Sequence, residues 1–378
     1  MDKKVFLSAC KDYDEERVKA AVRELLQGFG GAAALAGGKR VLLKPNLLMA
    51  ATPASCVTTH PTVISALAEE FTAAGCRVVI ADSPGGPYNS LIMKRTYARC
   101  GMEPLAQKEG VTLNYDYGSK DFAFPEGKVA KSFPLITPAL EADFIVSAAK
   151  LKTHGLTHMT GAVKNVFGLV PGLIKPAYHA KFSDRAQFCR MLVDLCQAVS
   201  PHFSVIDGVM GMEGRGPSGG RPKYAGVLIG SRNPHAADLA ACQIMGLSMS
   251  NVTTLTDAAE RGLIPASYKE LEYAGGEIQH FQQKFAPPHK TGSFIGFMPK
   301  KMRPFLEKLV VPYPYIMKEK CIGCGDCALS CPPHIIEMKE RKACIDHEKC
   351  IKCYCCHELC PVRAIDFKRY GKIKRLKN

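Results

Sequence analysis

The sequence predicts an α/β protein with a mostly parallel sheet, helices on both faces of that sheet, and a small cysteine-rich α+β module at the C-terminus. Two observations indicate this fold class. Short apolar strands alternate with amphipathic helices from residue 5 to about residue 245, and this alternation is typical of a parallel sheet covered by helices. Eight cysteines then recur at regular spacing between Cys321 and Cys360, which predicts a separate compact module.

The predicted elements follow one another in a simple order. The strands are predicted at residues 5–7, 40–43, 76–80, 143–147, 203–206 and 224–229, and the helices at residues 14–29, 58–74, 182–199 and 234–245. Each helix has apolar residues at a spacing that places them on one face. Residues 111–137 are strand-like and rich in turns, which predicts an antiparallel excursion from the sheet.

These patterns divide the 378-residue chain into four parts. The α/β domain is predicted at residues 1–275 and the cysteine-rich module at residues 316–367. Residues 276–315 contain many prolines and lysines with few periodic apolar positions, so we expect a linker there. Residues 368–378 are a basic tail, which we expect to be solvated.

Polar side chains follow several of the predicted strands of the α/β domain. Lys44, Asn46, Asp82 and Ser83 come directly after two of them. In open α/β sheets ligands bind beyond the carboxyl ends of the strands, so we expect these side chains to lie close together. The same reasoning applies to a later group of polar residues, namely Lys150, Lys152, His154, Lys164, Asn165 and His179.

The lysines in these groups, together with Lys175, predict an anion-binding site. An ammonium group is a compact charge that suits carboxylate or phosphate, and crowding by other cations lowers its pKa. We therefore expect His154, Lys152 and Lys164 to supply protons. The predicted substrate-binding residues are Lys44, Asn46, Asp82, Ser83, Lys150, Asn165 and His179. The alternative is that these lysines are merely solvated.

A glycine-rich run at residues 208–220 follows the strand at residues 203–206. It matches neither the dinucleotide-binding pattern nor the P-loop pattern. The run predicts either a mobile lid or an ordinary surface loop.

The cysteines repeat the spacing C-x2-C-x2-C-x3-C-P twice, 29 residues apart. In such a pattern three thiolates bind one 4Fe–4S cluster and the fourth reaches the other cluster. The first cluster is therefore assigned to Cys321, Cys324, Cys327 and Cys360, and the second to Cys350, Cys353, Cys356 and Cys331. A pair of zinc sites is the alternative, but zinc sites seldom have a third cysteine at this spacing.

Two further cysteines lie within or beside the repeat. Cys355 falls inside the second motif, where it would compete with Cys356 as a ligand, and Cys344 lies just before it. Neither fits the repeat, so a buried or partly shielded free thiol is the favoured interpretation for both.

Composition narrows the class of protein further. Nine of the 17 cysteines lie outside the repeat and form no disulfide framework, which predicts the cytoplasm of an anaerobic or microaerophilic cell. The sequence has neither a signal peptide nor an apolar run of the roughly 18 residues that a membrane span needs. The net charge of +15 suits acidic partners or substrates, and nucleic-acid binding would depend on that charge alone.

Two parts of the chain resemble known families. Residues 316–367 resemble a bacterial two-cluster ferredoxin, which implies one-electron transfer at low potential. Residues 1 to about 250 resemble the family called domain of unknown function 362, whose members often have such a module. The matching segments are 44–46, 60–61, 82–84, 150–154, 164–168, His179, 207–208 and 211–214.

Together these features predict an iron–sulfur-dependent oxidoreductase with two 4Fe–4S clusters. It would exchange electrons with a redox partner protein and reduce an anionic small molecule held among the lysines. One alternative is a ferredoxin-like electron carrier that docks an acidic redox partner, for which the lysines would lie spread over a surface. Another is a cluster or metal assembly factor. The sequence sets no oligomeric state.

Overall fold

The structure is a computed structural model in which residues 2–288 and 312–368 are described. Residues 289–311 of the predicted linker and residues 369–378 of the predicted basic tail lie outside the described residues. No helix in the described ranges has both the length and the apolar character needed to cross a bilayer.

A mixed sheet forms the centre of the α/β domain. The strands of this domain are β1 (Lys4–Ala9), β2 (Arg40–Pro45), β3 (Arg77–Ile80), β4 (Val111–Leu113), β5 (Ser119–Ala123), β6 (Ser132–Ile136), β7 (Phe144–His154), β8 (His158–Thr160), β9 (Phe203–Glu213), β10 (Arg221–Ser231) and β11 (Glu272–Gly275). The sheet has the order β11-β1-β10-β9-β7-β2-β3-β4, with β8 paired to β7. Strands β9, β7, β2, β3 and β4 are mutually parallel, whereas β10 is antiparallel to both neighbours. Of the predicted antiparallel excursion at residues 111–137, β4 belongs to the parallel sheet, whereas β5 and β6 form a separate antiparallel pair.

Helices cover both faces of this sheet. They are α1 (Glu15–Gln27), α2 (Gly31–Ala36), α3 (Pro61–Ala73), α4 (Ser90–Arg99), α5 (Thr137–Glu141), α6 (Ala162–Asn165), α7 (Ile174–Lys181), α8 (Arg185–Val199), α9 (Pro234–Ile244), α10 (Thr253–Glu260) and α11 (Ile278–Phe281). Successive residues of β2 show the two faces, because Val41 and Leu43 pack with α1 and α3 and Leu42 packs with α8. The predicted fold class is therefore confirmed.

Two strands extend further than the sequence predicts. β7 continues through Lys150 and Lys152 to His154 and is buried along its whole length, so these residues belong to a strand and not to a loop after it. β9 likewise continues to Glu213. Gly208 and Gly211 lie in β9, where a Cβ atom would stand 2.9 Å from the carbonyl oxygens of Val227 and Leu151, respectively.

These two glycines therefore serve close strand packing, and residues 214–220 form the connection between β9 and β10. The segment at residues 208–220 is therefore neither one lid nor one surface loop, the two alternatives that the sequence predicts.

Part of the predicted linker packs onto the α/β domain. Ile278, Phe281 and Phe285 are buried in the core beside α9. The backbone N–H of Ala286 also donates to Glu213 Oε2 at 2.8 Å. The domain thus continues beyond residue 275, because apolar side chains after that point still cover the sheet.

The cysteine-rich module consists of two similar halves. Strand β12 (Tyr313–Ile316) pairs with β15 (Ile365–Lys368), and β13 (Ile336–Lys339) pairs with β14 (Lys342–Ile345). Each half contains a short helix, α12 (Asp326–Leu329) or α13 (Cys355–Glu358). Both helices begin after a residue with positive φ, and these residues, Gly325 and Tyr354, lie 29 positions apart. The backbone thus repeats with the cysteine motif.

Candidate active site

A cavity lies between the carboxyl edge of the parallel strands and the cysteine-rich module. We call it the lysine cavity. The residues that line it from the α/β domain include Lys44, Asn46, Asp82, Ser83, Lys152, Lys164, Asn165, Lys175 and His179. From the module, Cys355, Glu358 and Leu359 complete the wall. The four lysines outnumber the two carboxylates, so the cavity carries an excess of two positive charges when all four are protonated.

The floor of the cavity is a buried ion pair. Lys44 Nζ lies 2.7 Å from Asp82 Oδ1, and both side chains are almost fully buried. The same ammonium donates to Asn165 Oδ1 at 3.1 Å. Asp82 Oδ2 accepts the N–H of Leu47, so both carboxylate oxygens are engaged within the protein. Burial lowers the pKa of Lys44, although Asp82 opposes this shift.

Lys152 is fully buried and has one N–H position left for a ligand. Its Nζ donates to Val57 O at 2.7 Å and to Asn46 Oδ1 at 3.1 Å. An ammonium group has three N–H donors, so the third is not used by these two bonds. Burial, with a further contribution from Lys164, lowers the pKa of Lys152 to about 7. Its protonated and neutral forms are therefore both accessible near neutral pH.

Lys175 holds the loop that follows β3. Its Nζ donates to Ser83 O at 2.8 Å, to Pro84 O at 3.1 Å and to Ser83 Oγ at 3.2 Å. These three acceptors favour the ammonium form, whereas burial lowers the pKa to about 7. An anion placed nearby would shift this balance towards the protonated lysine.

Two lining groups have unused hydrogen-bonding capacity. Lys164 is half-buried, and its Nζ lies 6.0 Å from the ring centroid of Phe167, with no hydrogen-bond acceptor within the described parts of the chain. His179 stacks on Phe188 with ring centroids 4.2 Å apart, and burial lowers its pKa to about 3. Its buried Nδ1 has no partner among residues 2–288 and 312–368.

His154 does not line the cavity, contrary to the role in proton transfer that we expected. Its Nδ1 accepts the N–H groups of Leu156 and Thr157 at 3.0 and 3.3 Å. The neutral ring therefore carries its proton on Nε2, which lies 3.0 Å from Glu358 Oε1. Burial lowers the pKa of His154 to about 4. The imidazole thus positions Glu358 of the module at the cavity wall.

Lys150 also lies apart from the cavity. Its Nζ contacts Asp207 Oδ2 at 2.8 Å and Tyr13 OH at 2.6 Å, and the side chains of Lys150 and Asp207 are both fully buried. Tyr13 OH donates to Asp207 Oδ1 at 2.7 Å and stacks on His60. Because its charge is compensated inside the protein, Lys150 has a structural environment and not the substrate contact we expected.

Other contacts besides the His154–Glu358 pair also join the module to the α/β domain. Arg215 forms an ion pair with Asp366, and Ser218 Oγ donates to His357 O at 3.3 Å. Leu359 packs against Gly85, where a Cβ atom would overlap the leucine. The short connection after β9 therefore contributes directly to docking of the module.

The motif cysteines surround two further cavities. Cys321, Cys324, Cys327 and Cys360 line one of about 330 Å³. Cys350, Cys353, Cys356 and Cys331 line another of about 300 Å³. Most of the remaining lining residues are apolar. Within the described ranges no three His, Cys, Asp or Glu side chains are close enough to hold a single metal ion. The arrangement fits clusters that fill the space between four sulfurs.

Cys355 belongs to the lysine cavity and not to either cysteine-lined cavity. It occupies the position that Asp326 has in the first half, 29 residues earlier. Its thiol is buried and adjoins Cys353. Cys355 is therefore placed between a predicted cluster ligand and the space where a substrate would bind.

Several lining residues were not expected from the sequence. Glu358 and Leu359 lie between two motif cysteines, and Pro217 follows the glycine-rich strand. Their contribution depends on how the module docks, which no local pattern encodes. Lys175, by contrast, is one of the five lysines that we expected to converge on an anion site, and it lines the cavity.

Comparison with known proteins finds similarity to a curated relative and to a solved structure. Over 274 residues, 71% of this chain and 82% of the relative, the sequence is 32% identical to the thylakoid-associated protein sll1697 of Synechocystis sp.. The structure is also similar to the lactate racemase apoprotein from Thermoanaerobacterium thermosaccharolyticum, with a TM-score of 0.42 and 16% identity. That similarity covers 65% of this chain and 57% of the racemase chain.

Family matches cover the same two regions. Residues 320–364 match the 4Fe-4S dicluster domain, which supports 4Fe–4S binding and an iron–sulfur electron-transfer role. Residues 41–243 match domain of unknown function DUF362, and this match spans most of the lysine cavity. The chain therefore belongs to the DUF362 family and has a 4Fe-4S dicluster domain at its C-terminal end.

Proposed function

We propose that this protein is an iron–sulfur-dependent reductase whose substrate is an anionic small molecule bound in the lysine cavity. The observation that carries this proposal is the shared wall of the cavity. Four lysines of the α/β domain and the residues Cys355, Glu358 and Leu359 of the module line the same space. An anion held by the lysines would lie directly beside the module.

Two 4Fe–4S clusters are part of the proposal. Cys321, Cys324, Cys327 and Cys360 would hold one, and Cys350, Cys353, Cys356 and Cys331 would hold the other. Clusters of the ferredoxin type, when bound, supply single electrons at about −400 mV or lower. The reductant is a redox partner protein that donates one electron at a time.

The lysine cavity supplies the anion-binding energy. Lys164 has the least compensated charge of the four lysines, because Asp82 neutralises Lys44 while carbonyl and amide oxygens accept from Lys152 and Lys175. The orphaned Nδ1 of His179 adds a hydrogen-bonding position. These groups would fix a carboxylate or phosphate inside a partly closed space, where its interactions with cations are stronger than in water.

Proton supply comes from the same lysines. Reduction adds two electrons and two protons to the substrate. The partner protein gives up these two electrons in two one-electron steps. Lys152 would donate one proton through its unused N–H position, because a pKa of about 7 suits a general acid near neutral pH. Lys164 would donate the second. Both lysines would regain protons from solvent when the product leaves.

Burial favours this function over the electron-carrier alternative. A carrier would present its lysines on a surface, whereas Lys44, Lys152 and Lys175 are 1%, 0% and 9% exposed. Three buried ammonium groups at one site are costly in free energy, and a bound anion would offset that cost.

The test uses the full chain reconstituted anaerobically with iron and sulfide. Short carboxylates and inorganic phosphate are screened by thermal shift, and the reduced protein is then mixed with each anion that binds to measure reoxidation. Lys164→Met is expected to abolish stabilisation by the anion, while Lys120→Met, which removes an exposed lysine on β5, leaves it intact. Equal behaviour of the two variants, together with tight binding of an acidic redox protein, would establish the carrier instead.

A further inference from the structure

A second opening lies beside the lysine cavity and is mostly apolar. We call it the apolar groove. Leu48, Met49, Ile92, Leu173, Leu329 and Leu359 are among its lining residues. The charged side chains in its wall, within the described residues, are Arg95 and Asp326. Leu173 and Leu329 remain 40% and 51% exposed, so apolar surface is available to a ligand.

The groove and the lysine cavity are adjacent compartments. Leu48 and Leu359 line both of them. The loop after β3 separates them, because Ser83 and Gly85 line the cavity while Pro84 and Gly86 line the groove. At Leu48 and Leu359 a cationic environment therefore adjoins an apolar one.

The duplicated module contributes equivalent positions to both compartments. Cys355, Glu358 and Leu359 line the lysine cavity. The residues 29 positions earlier, Asp326, Leu329 and Ser330, all line the groove. The two short helices thus present the same positions to two different spaces. Glu358 lies among lysines, and its counterpart Leu329 lies among apolar side chains, so each half matches the compartment it faces.

We infer that the substrate of the lysine cavity is amphipathic, with an anionic group among the lysines and an apolar chain or ring in the groove. This inference rests on the proposed function, because it assumes an anion in the cavity. Covering Leu173, Leu329 and Ile92 would remove apolar surface from water, which is favourable in proportion to the area buried. The polar cavity selects the charge, and the groove selects the size of the apolar part.

Straight-chain monocarboxylates from acetate to octanoate test the inference with the reconstituted full chain. Each buried methylene contributes about 0.8 kcal/mol, or about a fourfold lower Kd. We expect the Kd to fall by up to about fourfold per added methylene once the chain is long enough to enter the groove. Isothermal titration calorimetry at constant pH and ionic strength measures this dependence.

Two neighbouring residues of α4 provide a matched pair of variants. Ile92 lines the groove, whereas Leu91 does not and is 76% exposed. Ile92→Gln is expected to reduce the fall in Kd per added methylene while leaving the Kd for acetate unchanged. Leu91→Gln is expected to leave the dependence of Kd on chain length unchanged.

The outcomes separate this inference from the proposed function. If acetate binds and Lys164→Met abolishes its binding, but the Kd does not change with chain length, the anion site stands and the amphipathic substrate is refuted. A groove that accepts a protein segment would give this same flat series. If no carboxylate binds at any length, the proposed function itself fails. Equal loss of chain-length dependence in Leu91→Gln and Ile92→Gln would also refute the assignment of the groove.

Discussion

Raising the pH from 6 to 8 is expected to weaken anion binding in the lysine cavity by about one to two orders of magnitude. The cause is the low pKa of two buried lysines, each about 7 in the ligand-free protein. An anion binds the protonated lysines, so above pH 7 the complex holds more protons than the free protein. By linkage the Kd must then rise with pH.

The magnitude follows from the fraction of each lysine that is protonated. For a pKa of about 7 this fraction falls from about 0.9 at pH 6 to about 0.1 at pH 8. One required lysine therefore gives about a tenfold rise in Kd, and Lys152 and Lys175 together give about a hundredfold rise. Lys164 lowers the pKa of both, whereas Asp82 opposes the shift in each case.

Propionate is a suitable probe because its carboxylate stays ionised between pH 6 and 8. The Kd is measured by calorimetry at pH 6, 7 and 8 and constant ionic strength. Lys175→Met should bind more weakly at pH 6 but lose only about tenfold by pH 8, because one titrating lysine has been removed. Lys120→Met should reproduce the unmodified protein. A Kd that is the same at pH 6 and pH 8 would refute the assignment of charged lysines to the site.

Three other variants probe the supports of the site. Gly168→Ala should abolish propionate binding in calorimetry, because a Cβ there would overlap the Lys44–Asp82 ion pair. Gly86→Ala should bind propionate normally, because a Cβ at Gly86 has nothing within 4 Å. Cys356→Ser should lower the iron and acid-labile sulfide retained after reconstitution and Cys355→Ser should not; equal loss would make Cys355 a ligand. Asp207→Asn should destabilise the protein by roughly 3–5 kcal/mol in urea unfolding, because it leaves a buried ammonium unpaired, and a loss below about 1 kcal/mol would contradict the buried network.

The sequence predicts which strands end at the site because parallel strands end at one edge of a sheet. Lys44, Asn46, Asp82 and Ser83 could be grouped on this basis, and all four line the lysine cavity. Apolar runs and helical spacing are sufficient for this grouping, since neighbouring parallel strands end at the same edge whatever their side chains contact.

The residues that pair with each lysine depend on strand register, which the sequence does not reveal. Asp207 lies opposite Lys150 across β7 and β9, and the register then shifts, so that Lys152 lies opposite Met212. A carboxylate therefore neutralises Lys150 but not Lys152, although the two lysines are only two residues apart. The one that keeps a free N–H position belongs to the cavity. Lys150 thus forms a structural ion pair, whereas Lys152, with the same side chain, is a candidate proton donor.

The two halves of the module have the same cysteine spacing but differ at other matching positions. The four cysteines of each half are identical in spacing, but Asp326 and Leu329 correspond to Cys355 and Glu358. Cluster binding alone gives no reason for these helix positions to differ. Their difference follows from what these positions contact, since Asp326 and Leu329 line the apolar groove whereas Cys355 and Glu358 line the lysine cavity.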